Sequence, residues 1–117
     1  MKKIILILVL LPSIAFAGWD KQDTARQIVF TSLLALDCGQ TLNISKNPDK
    51  YYEHNPVLGE HPSKESVITY NLSVAVIHAL ISYYMPEKYR EAWQYISIGV
   101  EGSSVIRNFN MGIAVTF

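Results

Sequence analysis

The sequence predicts an all-α fold: a three-helix bundle with a Pro-rich loop between helices 1 and 2 and an extended C-terminal tail, preceded by a signal peptide. Three observations carry that prediction. Three long segments are bounded by capping and helix-breaking residues. Within each, the polar residues collect on one side at 100° per residue. Three X-Pro steps crowd into a single connection, which argues against regular structure there.

Residues 1–17 read as an export signal. Lys2 and Lys3 form a positive n-region, Ile4 to Leu11 is an unbroken apolar run, and Pro12-Ser13 breaks it. Ala15-Phe16-Ala17 is the small-x-small pattern of a signal-peptidase site. At about a dozen residues the apolar core is too short for a permanent span. The expected product is a single domain over 18–117, exported and either periplasmic or membrane-associated in the cell envelope. No cysteine follows the cleavage site, so no lipoprotein anchor is expected. The full chain balances ten basic against ten acidic residues, and losing Lys2 and Lys3 leaves the domain near −2. Without a basic stripe to displace phosphate counterions, nucleic acid is excluded as a partner. The single cysteine, Cys38, lies amid Leu33, Leu34, Leu36 and Leu42 and reads as a small buried apolar residue. No internal disulfide is possible, so packing must hold the fold.

The first helix is expected from Asp20 or Asp23 to Ser45. Asp20, Asp23 and Thr24 offer N-cap oxygens, and Asn47-Pro48 marks the stop. Lys46 to Pro62 forms the loop, with Asn47-Pro48, Asn55-Pro56, Gly59 and His61-Pro62. The second helix runs from Ser63 to Met85, with Ser63 as N-cap, Glu65 complementing the positive end and Pro86 closing the segment. The third takes Pro86 into its first turn and continues to about Arg107. In the tail, Met111, Ile113, Val115 and Phe117 alternate with Asn110, Gly112, Ala114 and Thr116. That is the period of a strand, although a lone strand needs a partner, so the tail is expected to pair with another chain or to pack as an extended segment.

Each helix carries one polar seam. In the first, Arg26, Phe30, Leu33, Asp37, Gln40, Thr41 and Ile44 share a side. In the second, Asn71, His78 and Ser82 form a stripe in a stretch, Val67 to Met85, with no formal charge. In the third, Arg90, Gln94, Ser97, Glu101, Ser104 and Asn108 occupy a narrow arc. A soluble bundle would turn these seams to water. A membrane-embedded bundle would turn them inward and leave the apolar faces to lipid. The sequence alone leaves both arrangements open. The same holds for Tyr83, Tyr84, Tyr89, Trp93 and Tyr95, which suit either interior packing or a membrane interface.

The loop holds the densest chemistry. Asp37, Gln40 and Thr41, followed by Glu53, Asn55, Pro56, Leu58, Gly59, His61, Pro62 and Ser63, match a recurring pattern. An Asp-x-x-Gln-Thr helix leads into a Glu-x-Asn-Pro-[Val/Ile]-Leu-Gly-x-His-Pro-Ser loop. In this the chain resembles small, largely uncharacterised exported or membrane proteins of bacteria and phages. The resemblance implies a recurring structural unit and brings no assigned activity with it. Physically, Asn55-Pro56 favours a turn, Gly59 permits positive φ, and Val57 with Leu58 would plug the bundle end. His54 or His61 would then hydrogen-bond Asp37.

A sharper reading is an acid–base or metal site. Its catalytic candidates are Asp37, His54, His61, His78 and Glu101, and its metal candidates Asp37, His54, His61 and His78. Glu53 and Glu60 are further potential ligands. Imidazole with carboxylate suits zinc or another divalent ion, and histidine titrates near neutrality. No short ligand spacing on one helix supports it, so no cofactor is the leading expectation. The expected function is that of a small non-enzymatic envelope protein, phage-like in size and export signal, acting by contact with the membrane or an envelope protein. The competing class is a small metal-assisted hydrolase.

Overall fold

The computed structural model describes residues 18–117, so the expected signal peptide lies outside the described residues. Three helices make up the fold: α1 (Lys21–Lys46), α2 (Lys64–Tyr84) and α3 (Glu87–Asn110). No strand occurs among the described residues.

Local chemistry sets each boundary. At the start of α1, Asp20 accepts from the Asp23 N–H at 2.9 Å and Asp23 accepts from the Asp20 N–H at 3.0 Å, a reciprocal capping box. α1 ends where the Asn47 N–H turns back to the carbonyls of Asn43 and Ile44, and Pro48 cannot extend it. Ser63 caps α2 through the Ser66 N–H at 3.2 Å. α2 stops at Met85, which the following proline holds extended. Pro86 is the N-cap of α3 rather than one of its helical residues.

α3 runs to Asn110, three residues beyond the expected end at Arg107. Gly112, at φ 82°, is the reason. Its N–H bonds the Phe109 carbonyl at 3.0 Å and the Ile113 N–H bonds the Asn108 carbonyl at 2.9 Å. That is a Schellman closure, and it places the end of the helix just before the glycine. In the loop, Asn55 accepts from the Val57 N–H through its side chain, while its carbonyl accepts from Leu58 and Gly59. Gly59 closes that turn at φ 80°. Val57 does not plug the bundle, being 75 % exposed.

α1 is the central element. It packs along both α2 and α3, which approach each other far less. Side-chain bonds from Arg26 to Gln94 and from Gln40 to the Val105 carbonyl show α1 and α3 running parallel. The Gln27–His78 contact shows α2 running against them. The loop, the end of α1 and the end of α3 therefore share one end of the bundle. The α2–α3 turn lies at the other.

The interior mixes apolar side chains, Phe30, Leu34, Leu42, Ile44, Val67, Val105 and Ile113, with a large polar share. Gln40 and Gln94 are 0 % exposed, and Asp23, Thr41, Asn71, His78, Ser82, Arg90 and Asn108 are also buried. Much of the outer surface of the helices is apolar: Leu72 is 64 % and Ile96 66 % exposed, with Ile28, Val76, Ile77, Val100 and Ile106 in the same condition. The polar seams of the three helices turn inward.

Arg90 organises the turn end. Its Nε donates to the Ser82 carbonyl at 2.8 Å and its Nη2 to the Met85 carbonyl at 3.1 Å. Those carbonyls lie at the end of α2, whose last turn has no basic residue of its own. Nη1 donates to the Gly18 carbonyl at 3.0 Å and to Asp23 Oδ2 at 3.1 Å. Asp23 Oδ1 is held by Arg26. One buried guanidinium thus joins the starts of α1 and α3 to the end of α2.

The tail lies along α1. The Thr116 N–H donates to the Gly39 carbonyl at 3.0 Å, Asn43 Nδ2 to the Ala114 carbonyl at 2.9 Å, and Lys46 Nζ to the Phe117 carbonyl at 3.1 Å. Ile113 is buried. The strand-like alternation does not mark a single buried side, since Met111 and Phe117 are exposed while Ile113 is buried. Gly39 makes room for it, since a Cβ there would sit 2.3 Å from Val115 Cγ1 and 2.9 Å from Phe117 Cζ.

Two outcomes follow. Arg90→Met removes one of the two cations on a buried carboxylate and strips the end of α2 of its donors, and should lower stability by about 3–5 kcal/mol, read as a drop in thermal midpoint by circular dichroism. Arg90→Lys should recover little of it, because an ammonium cannot reach this fork of acceptors. Gly39→Val should leave the helix content intact but release the tail, which limited proteolysis would then cut ahead of the helices.

A polar cavity beneath the loop

A cavity of about 320 Å³ opens inside the loop end of the bundle. α1 contributes Leu34, Asp37 and Thr41; α2 contributes Tyr70, Asn71 and Val74; α3 contributes Val100, Glu101, Ser104, Arg107 and Asn108. Glu53, His54, Asn55 and Leu58 reach it from the loop. The parting of α2 from α3 leaves the space, and the seams fill its walls.

Its floor is a hydrogen-bonded set. Asn108 Nδ2 donates to Gln40 Oε1 at 3.0 Å and, less closely, to Asp37 Oδ1 at 3.3 Å. Gln40 Nε2 passes on to the Val105 carbonyl at 3.1 Å. Asn71 turns to its own helix, bonding the Val67 carbonyl at 2.8 Å. The carboxyl groups of Asp37 and Glu101 stand close enough to interact directly. Glu101 Oε1 is shut off from solvent and has no hydrogen-bond partner among the described residues. Glu53 shapes the roof: its Oε1 accepts from the His54 and Asn55 N–H groups at 2.9 and 3.0 Å, and its own N–H bonds the Glu60 carbonyl at 2.8 Å.

The five catalytic candidates from the sequence do not converge. Asp37, His54 and Glu101 line this cavity, together with Glu53. His61 and Glu60 instead face a separate shallow depression with Pro48, Asp49, Lys50, Tyr51 and Tyr52. His78 lies towards the opposite end, stacked between Phe30 and Trp93 with ring centroids 3.6 and 4.9 Å away. Its Nδ1 lies 3.0 Å from Gln27 Nε2. Because Gln27 Oε1 accepts from Gln94, the Gln27 amide N–H donates to Nδ1. His78 is thus a packed member of the turn-end network, where Trp93 also donates to Ser82 Oγ at 2.9 Å.

No group of three His, Cys, Asp or Glu residues that could hold a metal ion occurs among the described residues. Neither His54 nor His61 bonds Asp37; Asn108 takes that role. Cys38 is half-buried, not fully enclosed, and lines an apolar groove between α1 and α2.

Sequence reasoning missed most of the wall as site members, including Tyr70, Asn71, Ser104, Arg107 and Asn108. Asn71 and Asn108 were visible as seam residues, but their convergence on one cavity depends on the antiparallel register. Tyr70 and Arg107 carried no signal beyond their neighbours. Comparison with known proteins adds nothing to this picture, since neither family models nor curated proteins nor solved structures match the chain.

Asn108→Leu removes the donor shared by Gln40 and Asp37. It should cost about 1–3 kcal/mol, measured by thermal unfolding. Ser103→Ala, at an exposed hydroxyl that bonds only its own helix, should stay within about 0.5 kcal/mol of the parent.

Proposed function

We propose that this chain is a small exported membrane protein of the cell envelope. It acts by contact with lipid and with a partner protein, and not by catalysis. The observation that carries the reading is the inverted polarity of the bundle. In water, exposing Leu72, Val76, Ile77, Ile96 and Val100 while burying Arg90, Gln40 and Gln94 works against both the hydrophobic effect and the hydration of polar groups. In hydrocarbon both terms reverse: apolar side chains are at home outside, and polar groups need partners inside.

Dimensions support it. At 1.5 Å per residue the helices reach roughly 32–39 Å, enough to cross a hydrocarbon core of about 30 Å. α1 and α2 are both long and apolar enough to cross a membrane by length and composition. Only 22 % of the apolar span of α2 is buried within the bundle, whereas a soluble core helix of that composition would be mostly buried. In α3, residues 92–100 carry no formal charge. Aromatic side chains gather at the turn end, where Trp19 stacks on Tyr83 at 4.2 Å and Arg90 lies 5.0 Å from the Trp19 ring. Tyrosine and tryptophan favour such positions at a membrane interface.

The competing reading, a small metal-assisted hydrolase, has one observation on its side: Asp37, His54 and Glu101 share a cavity. It loses His61 and His78 to other parts of the molecule.

Fractionation of cells expressing the full chain tests membrane residence. The protein should stay in the membrane pellet through alkaline carbonate and leave it only with detergent. Complete release into the soluble periplasmic fraction would overturn the proposal.

A further inference from the structure

The polar cavity does not stand alone. An apolar groove of about 230 Å³ runs between α1 and α2, lined by Ala35, Cys38, Leu72, Ala75 and Phe117. Leu34 and Asn71 line both spaces, so a charged chamber and an apolar groove lie on either side of these two residues. Within the chamber the charge is divided. Asp37 and Glu101 are half-buried side by side, while Arg107 is exposed one turn or more nearer the end of α3. Arg107 forms no ion pair among the described residues. It lies six residues beyond Glu101, about 9 Å along the helix.

Two neighbouring carboxyl groups away from bulk water are stable together only with a proton or a cation between them. Among the described residues, Asn108 reaches Asp37 Oδ1 at 3.3 Å and no donor reaches Glu101 Oε1. A bare metal ion is poorly served, because no third ligand joins them. A primary ammonium is well served, since it brings positive charge and three N–H donors to a pair of acceptors. Arg107 complements a phosphate at the outer side of the same cavity. An ammonium joined to a phosphate, next to an apolar groove, is the chemistry of one class of phospholipid.

We propose that this cavity binds the phosphoethanolamine headgroup of a membrane phospholipid. The ammonium sits between Asp37 and Glu101, the phosphate on Arg107, and one acyl chain in the groove beside Leu72 and Phe117. This deepens the membrane reading and rests on it. An anionic glycerol headgroup would meet the carboxylates with no cation to offer. A choline headgroup would offer charge without N–H donors.

The test uses the full chain purified in detergent and supplied with equal amounts of phosphatidylethanolamine, phosphatidylglycerol and phosphatidylcholine. Native mass spectrometry counts the lipid retained. Phosphatidylethanolamine should be retained one per chain and preferred by about tenfold over the other two. Glu101→Gln and Arg107→Gln should each cut that retention by a similar factor, with helix content by circular dichroism showing that both variants fold. Equal retention of the three lipids by the unmodified protein would overturn the site whatever the variants do, as would unchanged retention in both variants. Displacement of the lipid by soluble O-phosphoethanolamine at equal concentration would overturn the assignment to a lipid. A chain that resists carbonate yet shows no headgroup preference contradicts the site alone, which separates this failure from that of membrane residence.

Discussion

The Arg90–Asp23 contact is the constraint on which the rest of this molecule depends. A guanidinium at 2 % exposure is tolerable only because four acceptors meet it: the carbonyls of Ser82, Met85 and Gly18, and the Asp23 carboxylate. Asp23 is itself half of the capping box that starts α1. One ion pair thus couples where α1 begins, where α2 ends and how α3 leaves the Met85-Pro86 turn. From that fixed end the register of the bundle follows, and Arg26, Gln94, Gln27 and His78 fall into a continuous chain of contacts.

At the loop end the same principle operates with less charge compensation. Gln40 and Asn108 satisfy each other and the Val105 carbonyl, yet the Asp37–Glu101 pair keeps an acceptor without a donor. The contrast between the two ends is informative. The turn end is a structural network in which cations are placed against carboxylate and carbonyls, and its unpartnered buried atom, His78 Nε2, lies in a ring stacked between Phe30 and Trp93. The loop end is a chamber in which Glu101 Oε1 has no partner among the described residues, roofed by a loop that Glu53 holds in shape. What distinguishes the candidate site from its scaffold is open volume: Glu101 lines a cavity, whereas His78 is packed between aromatic rings.

Much of the fold was legible in the sequence because helix boundaries are written locally. Asp20, Asn47-Pro48, Ser63 and Pro86 act through their own backbone neighbours, and the three seams follow from spacing alone. The end of α3 was less legible. The alternation from Met111 to Phe117 has the period of a strand, and only the Schellman bonds at Gly112 show the helix persisting to Asn110. Whether the seams face in or out was not legible either, since an amphipathic pattern is symmetric with respect to its solvent. The candidate site was half legible. Asp37, His54 and Glu101 were singled out and do share a cavity, but His78 has the same stripe position as a ligand would and is stacked between Phe30 and Trp93 instead. Which polar residues converge depends on long-range register, which no local motif encodes.

The central claim is that the exposed apolar faces contact lipid acyl chains. Nitroxide scanning along α2 in reconstituted vesicles tests it most directly, using a Cys38→Ala background and comparing collisions with oxygen, which dissolves in lipid, against a water-soluble nickel chelate. Labels at Leu72, Val76 and Ile77 should collide strongly with oxygen and weakly with the chelate, whereas labels at Asn71 and His78 should be sheltered from both. Strong collision of the chelate with labels at Leu72 and Val76 would contradict the account.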